Sequence, residues 1–203
     1  MNDGHYFDPS PTARSRERTV TLALPDRSLE LVTDSGTFSP DRVDPGTKLL
    51  LLDGPEPRAD LGPLLDLGCG YGPLAVALAS RCPDALVWAI DVNERARELC
   101  RRNADLNGVG DRVHVVAPGQ VDPSLSFGQI WSNPPIRVGK SALHDLLATW
   151  LGRMVVGGSA HLVVSKHLGA DSLQAWLNAQ GFEATRRRSR MGYRLLDVAR
   201  PDT

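Results

Sequence analysis

From Pro63 onward the chain alternates short apolar runs with longer, partly polar segments, and this alternation constrains the fold more than any other feature. The apolar runs cover 64–67, 86–90, 113–116, 130–131 and 160–164. Runs that are nearly continuously apolar suit strands covered on both faces, as in a parallel sheet. Between them the pattern predicts helices over 73–81, 94–107, 141–153 and 171–180. Pro73 suits a first helical turn and Asn93 a cap. Ala96, Leu99, Cys100 and Leu106 then share one helix face, and Gly108 stops that helix. Asp171 with Gln174 reads as a capping box, and Gly181 ends the last helix. Residues 182–188 and 193–199 form a closing antiparallel hairpin around Met191-Gly192. Strand–helix alternation ending in a hairpin defines a doubly wound, Rossmann-like α/β fold.

The first part of the chain is different. Residues 1–18 are polar with two prolines and read as an irregular arm. Two β-prone runs, 19–24 and 28–34, flank Pro25-Asp26-Arg27 as a short hairpin, and 44–52 carries four successive leucines in a short helix. The expected organisation is an N-terminal arm and β-rich extension (1–60) followed by a main domain (61–203).

Bulk composition excludes more than it assigns. The chain has 203 residues, room for one domain, and 41% hydrophobic content is enough for a core. No run approaches the length of a membrane span, and the N-terminus has no apolar signal region. Three cysteines without C-x-x-C spacing argue against a disulfide frame or a metal site, so a reducing cytoplasm is expected. A net charge of −1 means that any nucleic-acid contact must come from a local patch.

Asp66-Leu67-Gly68-Cys69-Gly70-Tyr71-Gly72 follows the first apolar run and opens a helix. Glycines here allow a tight turn and a close ligand approach. A dinucleotide fingerprint would read G-x-G-x-x-G, whereas here Pro73 stands where the last glycine belongs. Asp66, two positions before the first glycine, would repel a diphosphate and favour an ammonium or sulfonium. Asp91 ends the second run, 19 residues after Gly72, the place of a carboxylate that grips ribose hydroxyls. The plainer alternatives are a tight turn and a solvated cap.

Together these residues resemble the class I S-adenosylmethionine-dependent methyltransferases, over about residues 61–199. The resemblance implies a seven-stranded sheet and S-adenosylmethionine as cofactor. It also implies that Gly68, Gly70 and Gly72 line the methionine moiety. Asp66 would hold the amino group, Asp91 the ribose, and Val92 and Asn93 the adenine border, with Cys69 and Asn133 completing the set. Ala117-Pro118-Gly119-Gln120 leaves the adenine-reading residue open.

A second motif, Ser132-Asn133-Pro134-Pro135-Ile136, ends the fourth run. Two prolines stop a strand abruptly, and that alone is an ordinary event. At the carboxyl edge of such a sheet, however, the Asn133 side-chain oxygen and the Pro134 carbonyl suit a clamp on both hydrogens of an NH2 group. Pro135 stiffens the turn, and positioning rather than acid–base chemistry carries the rate. The tetrapeptide resembles the (N/D/S)-P-P-(Y/F/W) motif of amino methyltransferases, with Ile136 in place of the aromatic. Longer stretches, HYF near the start, DSGTFSPDRVDPGTKLLL, LLDLGCGYGP, SNPPIRVGK and GYRLLDV, resemble the RsmC-like group of small-subunit ribosomal RNA guanine-N2 methyltransferases. That implies ribosomal RNA or the small ribosomal subunit as partner, residues 19–52 packed beside the catalytic domain, and Phe38 and the Asp44-Pro45-Gly46-Thr47 loop near the cofactor.

Ile136, Arg137, Lys140 and Lys166 are the expected substrate contacts, and Arg186, Arg187, Arg188, Arg190 and Arg194 form a basic cluster around the final hairpin. An edge strand kept unsticky by charge explains that cluster equally well. His114, His144 and His161 show no partner pattern, and neither a Ser-His-Asp nor a metal-ligand constellation is legible. A protein glutamine-amide methyltransferase and a non-catalytic ribosome-assembly factor remain as alternatives. A dehydrogenase conflicts with the glycine spacing. Gln129 has no assignable role.

Overall fold

The computed structural model describes residues 16–35, 37–135 and 138–201. Most of the expected arm, the HYF stretch, Ile136 and Arg137 lie outside these residues. The end of the arm is corrected: Glu17 and Arg18 already belong to strand β1 (Glu17–Ala23).

β1 pairs antiparallel with β2 (Ser28–Asp34) in a two-stranded sheet of its own, from Glu17↔Asp34 to Ala23↔Ser28. The buried Asn103 carboxamide fastens this hairpin to the rest. It accepts from Val32 N at 2.7 Å and donates to Val32 O and Tyr71 O, both at 2.8 Å. Leu22, Leu29 and Leu31 are buried beside it. Helix α1 (Pro45–Asp53) follows, started by Pro45 and by the Asp44 side chain, which accepts from Gly46 N and Thr47 N.

The main sheet contains β3 (Leu64–Leu67), β4 (Val87–Ile90), β5 (Val113–Val116), β6 (Phe127–Ser132), β7 (Met154–Ser165), β8 (Glu183–Arg190) and β9 (Tyr193–Ala199). Its order is β5-β4-β3-β6-β7-β9-β8. The first five in that order run parallel, and β9 lies antiparallel to both β7 and β8. This is the seven-stranded sheet that the resemblance implies, doubly wound as the alternation predicts. Helices α2 (Pro73–Arg81), α3 (Glu94–Leu106), α4 (Lys140–Leu151) and α5 (Ala170–Ala179) connect the strands.

Strand alternation sends successive side chains to opposite faces, and two hydrophobic clusters result. Leu64, Ala89, Val115, Trp131, Val163 and Leu195 face α1, α2, α3 and the hairpin. Leu65, Ile90, Ile130, Leu162 and Leu196 face α4 and α5. The first cluster runs without a break from Leu22 and Leu49 into Leu74 and Val163, so the N-terminal extension shares its core with the sheet.

Three expectations are corrected. β6 and β7 are longer than their apolar runs, because Gly128, Gln129, Gly157, Gly158 and Ser159 interrupt the apolar pattern without leaving the strands. Asp171 does not cap α5. Gly169 (φ 96°) turns the chain straight into the helix, and the Asp171 carboxylate pairs across with Arg186 (3.2 Å) and Arg194. Phe182 stays outside β8 because its N–H closes the α5 end on Leu177 O at 3.2 Å.

Candidate active site

Strand order reverses between β3 and β6, and open α/β sheets bind ligands outside the carboxyl ends at such a point. Both singled-out motifs lie there: the glycine turn follows β3, and Asn133 follows β6. The two strand ends are tied by Ser132 Oγ donating to Leu67 O at 2.7 Å.

Hydrogen bonds to the next strand hold the turn. Gly68 N and Cys69 N both donate to Ile90 O, at 2.8 and 3.0 Å. Asp91, 3% exposed, closes the arrangement: one carboxylate oxygen accepts from Gly70 N and the other from Asn93 N, each at 2.9 Å. Burial raises its pKa, against those bonds. Asn93 caps α3 through Ala96 N, and Arg97 of α3 grips the carbonyls of Asp91 and Val92 at 2.8 Å. Asp66 is fully buried. Its Oδ2 accepts from Ala75 N at 2.9 Å, while Oδ1 is buried with no hydrogen-bond partner among the described residues. Desolvation pushes its pKa up to about 8.

The glycines of the turn have different surroundings. At Gly72 (φ 93°) an added Cβ would sit 2.6 Å from Cys100 Sγ of α3, whereas at Gly70 (φ 54°) it would meet nothing within 4 Å. Gly72 therefore serves helix packing, and Gly70 leaves an open cradle. Gly72→Ala combines a left-handed alanine with an overpacked contact and should destabilise by about 2–4 kcal/mol. Gly70→Ala should cost only about 1 kcal/mol. Denaturant midpoints of the two variants measure the difference.

Asn133 is half-buried. Its Nδ2 donates to Asp44 Oδ1 at 2.8 Å and to Thr47 Oγ1 at 3.0 Å, so α1 reaches the site although it lies 86 and more residues earlier. Pro134 is buried and Pro135 half-buried. Lys140 is exposed in the first turn of α4, and Lys166 is exposed just past β7. Its backbone N–H donates to Gly192 O at 2.8 Å, which brings the tip of the β8–β9 hairpin to the same sheet edge as Asn133. Met191, at that hairpin tip, is 70% exposed, and Phe38, in the loop between β2 and α1, is 51% exposed.

The arginines of this hairpin are less free than their clustering implies. Asp53 faces Arg188 and Arg190, Asp171 faces Arg186 and Arg194, and Asp197 accepts from Arg187 at 2.8 Å. Five cations thus meet three carboxylates.

The absence of a Ser-His-Asp arrangement is corrected as well. Ser159 Oγ lies 3.0 Å from His161 Nε2, and His161 Nδ1 lies 2.9 Å from Asp197 Oδ1, beside a groove of about 530 Å³. Ser159 and His161 alternate on β7 and Asp197 faces His161 across β9, a register that no sequence pattern carries. Ser159 also pairs with Gln129 of β6 and with Ala199 of β9, within the sheet. His161 also packs on Trp131, with ring centroids 4.7 Å apart. Gln129 has a role too, since its Oε1 accepts from Arg58 N at 3.0 Å and pins the entry to β3.

The glycine turn and the Asn-Pro-Pro turn meet at this switch point, and the chain belongs to the methyltransferase small domain family, whose model matches residues 28–196. It is 37% identical over 171 residues to a Bacillus subtilis protein named "Uncharacterized protein YbxB", covering 83% of this chain and 84% of that one. It is 30% identical over 162 residues to ribosomal RNA small subunit methyltransferase C of Shewanella amazonensis. That match covers 78% of this chain but 46% of the enzyme, so the chain spans about half of that relative. Among solved structures, the T. thermophilus 16S rRNA N2 G1207 methyltransferase (RsmC), in complex with AdoMet and guanosine, superposes with a TM-score of 0.79 at 22% identity. The match covers 95% of this chain and 52% of that one.

Proposed function

We propose that this protein transfers a methyl group from S-adenosylmethionine to the exocyclic N2 amine of a guanine in small-subunit ribosomal RNA. The observation that carries the reading is the meeting of Asn133-Pro134-Pro135 and the glycine turn at the sheet's switch point.

The residues fit the donor. The orphaned, buried Oδ1 of Asp66 suits an ammonium, Gly70 leaves space over the turn, and Asp91, with about four acceptor sites, has capacity beyond its backbone bonds from Gly70, Asn93 and Val92. When bound, the donor supplies an electrophilic methyl carbon on a sulfonium; the amine takes it, the broken bond's electron pair stays on sulfur, and one N–H proton leaves to water. The protein's contribution is orientation. The guanine N2 lone pair is delocalised into the ring, and an acceptor for each N–H, Asn133 Oδ1 and Pro134 O, turns it towards the methyl carbon. The relatives named as small-subunit rRNA methyltransferases supply the substrate class. Exposed Lys140, Lys166 and His167 offer phosphate contacts at the same edge.

The test is transfer of labelled methyl from S-adenosylmethionine to small subunits from a strain lacking this protein, with naked rRNA and total protein in parallel. Label recovered as N2-methylguanosine is the expected result. Label in protein would move the acceptor to a glutamine amide, and no label despite donor binding would leave an assembly role.

A further inference from the structure

We propose that Asp44 and Thr47, at the start of α1, are positioning residues that fix which end of the Asn133 carboxamide faces the substrate amine; this rests on the clamp reading above. A carboxamide has one acceptor and one two-hydrogen donor of nearly the same shape. Only the acceptor end can hold an N–H of an incoming NH2 group. Turned the other way, Asn133 would set two donors against each other, and the clamp would repel the group it must orient.

The hydrogen bonds around Asp44 choose between the two orientations. Asp44 Oδ1 already accepts from Gly46 N at 2.9 Å and from Thr47 N at 3.2 Å. An oxygen taking two backbone N–H bonds presents lone pairs to its third neighbour, so Asn133 must show it nitrogen, at 2.8 Å. The second hydrogen of the same amide is taken by Thr47 Oγ1 at 3.0 Å. With both hydrogens engaged, the amide plane is set, and the carbonyl oxygen is left for the substrate. The helix cap and the orienting bond use one atom. The N-terminal extension is thereby part of the site: α1 is anchored in the shared core by Leu49, Leu50 and Leu51, each no more than 3% exposed.

This role separates from capping by substitution. Asp44→Ser keeps a good N-cap but is too short to hold the Asn133 amide as well, and Thr47→Val removes the second acceptor at nearly constant shape. Asp44→Asn retains an oxygen that can accept all three bonds. Labelled methyl transfer to small subunits should show kcat lowered about 10- to 100-fold in Asp44→Ser and more in the double variant with Thr47→Val. KM for S-adenosylmethionine should stay near wild type, the melting temperature should fall no further than in Asn133→Ala, and Asp44→Asn should recover most of the loss. A substrate-free readout is hydrogen exchange of the Asn133 side-chain amide by NMR, assigned by its disappearance in Asn133→Ala. It should be slow in the wild-type protein and fast in the double variant.

Loss of donor affinity with kcat unchanged, a fall in melting temperature alone, or an Asn133 amide that exchanges freely in the wild-type protein would each overturn the proposal. If Asn133→Ala itself transfers methyl at the wild-type rate, the clamp reading fails. If it is inactive while Asp44→Ser and Thr47→Val are both normal, only the positioning role fails.

Discussion

Replacing Asn133 by alanine should lower kcat for methyl transfer about 10²- to 10³-fold, the range seen when one preorganised polar group at a reacting centre is removed. The substitution deletes the acceptor for one amine hydrogen, and the amine can then rotate away from the methyl carbon. Donor affinity should change little, because the glycine turn and Asp91 are held by β4 and not by Asn133: Gly68 N and Cys69 N bond Ile90 O, and Gly70 N bonds Asp91. Stability should fall by about 1–2 kcal/mol, for two side-chain hydrogen bonds lost from a half-buried group. Titration with S-adenosylmethionine, a denaturant curve and a single-turnover rate separate these three quantities. A variant that binds donor normally and still turns over within tenfold of wild type would show that Pro134 O and shape alone orient the acceptor. The Asn-Pro-Pro turn would then be no more than a strand terminator.

How far the site was legible follows from the range of the interactions that build it. β3, β4 and β5 announce themselves because strands inside a covered parallel sheet are mostly apolar, and 64–67, 87–90 and 113–116 are apolar but for Asp66 and His114. The glycine turn and Asp91 are legible for a related reason: backbone shape and a strand-end carboxylate are local requirements. What the sequence hides is pairing at long separation. Nothing in Asn133-Pro134-Pro135 identifies Asp44 and Thr47 as the groups that hold the amide, since that contact depends on α1 packing over the sheet. The Ser159–His161–Asp197 chain depends in the same way on the β7–β9 register. The arginines of the last hairpin were visible, but the aspartates that face them come from α1, α5 and β9, so the clustered charge overstates the free charge. Gln129 shows the same limit, as its partner is a backbone N–H in the connection leading to β3.

Asp66→Asn should make the ligand-free protein more stable at alkaline pH while weakening its hold on the donor. Asp66 is fully buried, one of its oxygens has no partner among the described residues, and burial lifts its pKa from 3.8 to about 8. Below about pH 4 the carboxyl is protonated in the folded and the unfolded chain alike and costs nothing. Between about pH 4 and 8 the unfolded chain ionises and the folded one does not, so stability falls as pH rises, by up to about 1.4 kcal/mol per pH unit. Above about pH 8 both states are ionised and the penalty levels off, with a ceiling of about 6 kcal/mol. Asparagine cannot ionise, so the wild-type-minus-variant difference in unfolding free energy should be flat in acid, grow through neutrality and flatten again in base. Donor binding reverses the balance in the wild-type protein, because an ammonium beside the free oxygen favours the carboxylate and draws its pKa down. The variant should therefore gain stability without ligand and lose about tenfold or more in affinity for S-adenosylmethionine. Wild-type binding should tighten and release a proton as buffer pH rises from 6 to 8. Calorimetry in buffers of different ionisation enthalpy measures that proton. A wild-type protein that binds donor with no proton release, and with the same pH profile of stability as Asp66→Asn, would mean that Asp66 is already ionised and paired. The ammonium would then have to be held elsewhere on the turn.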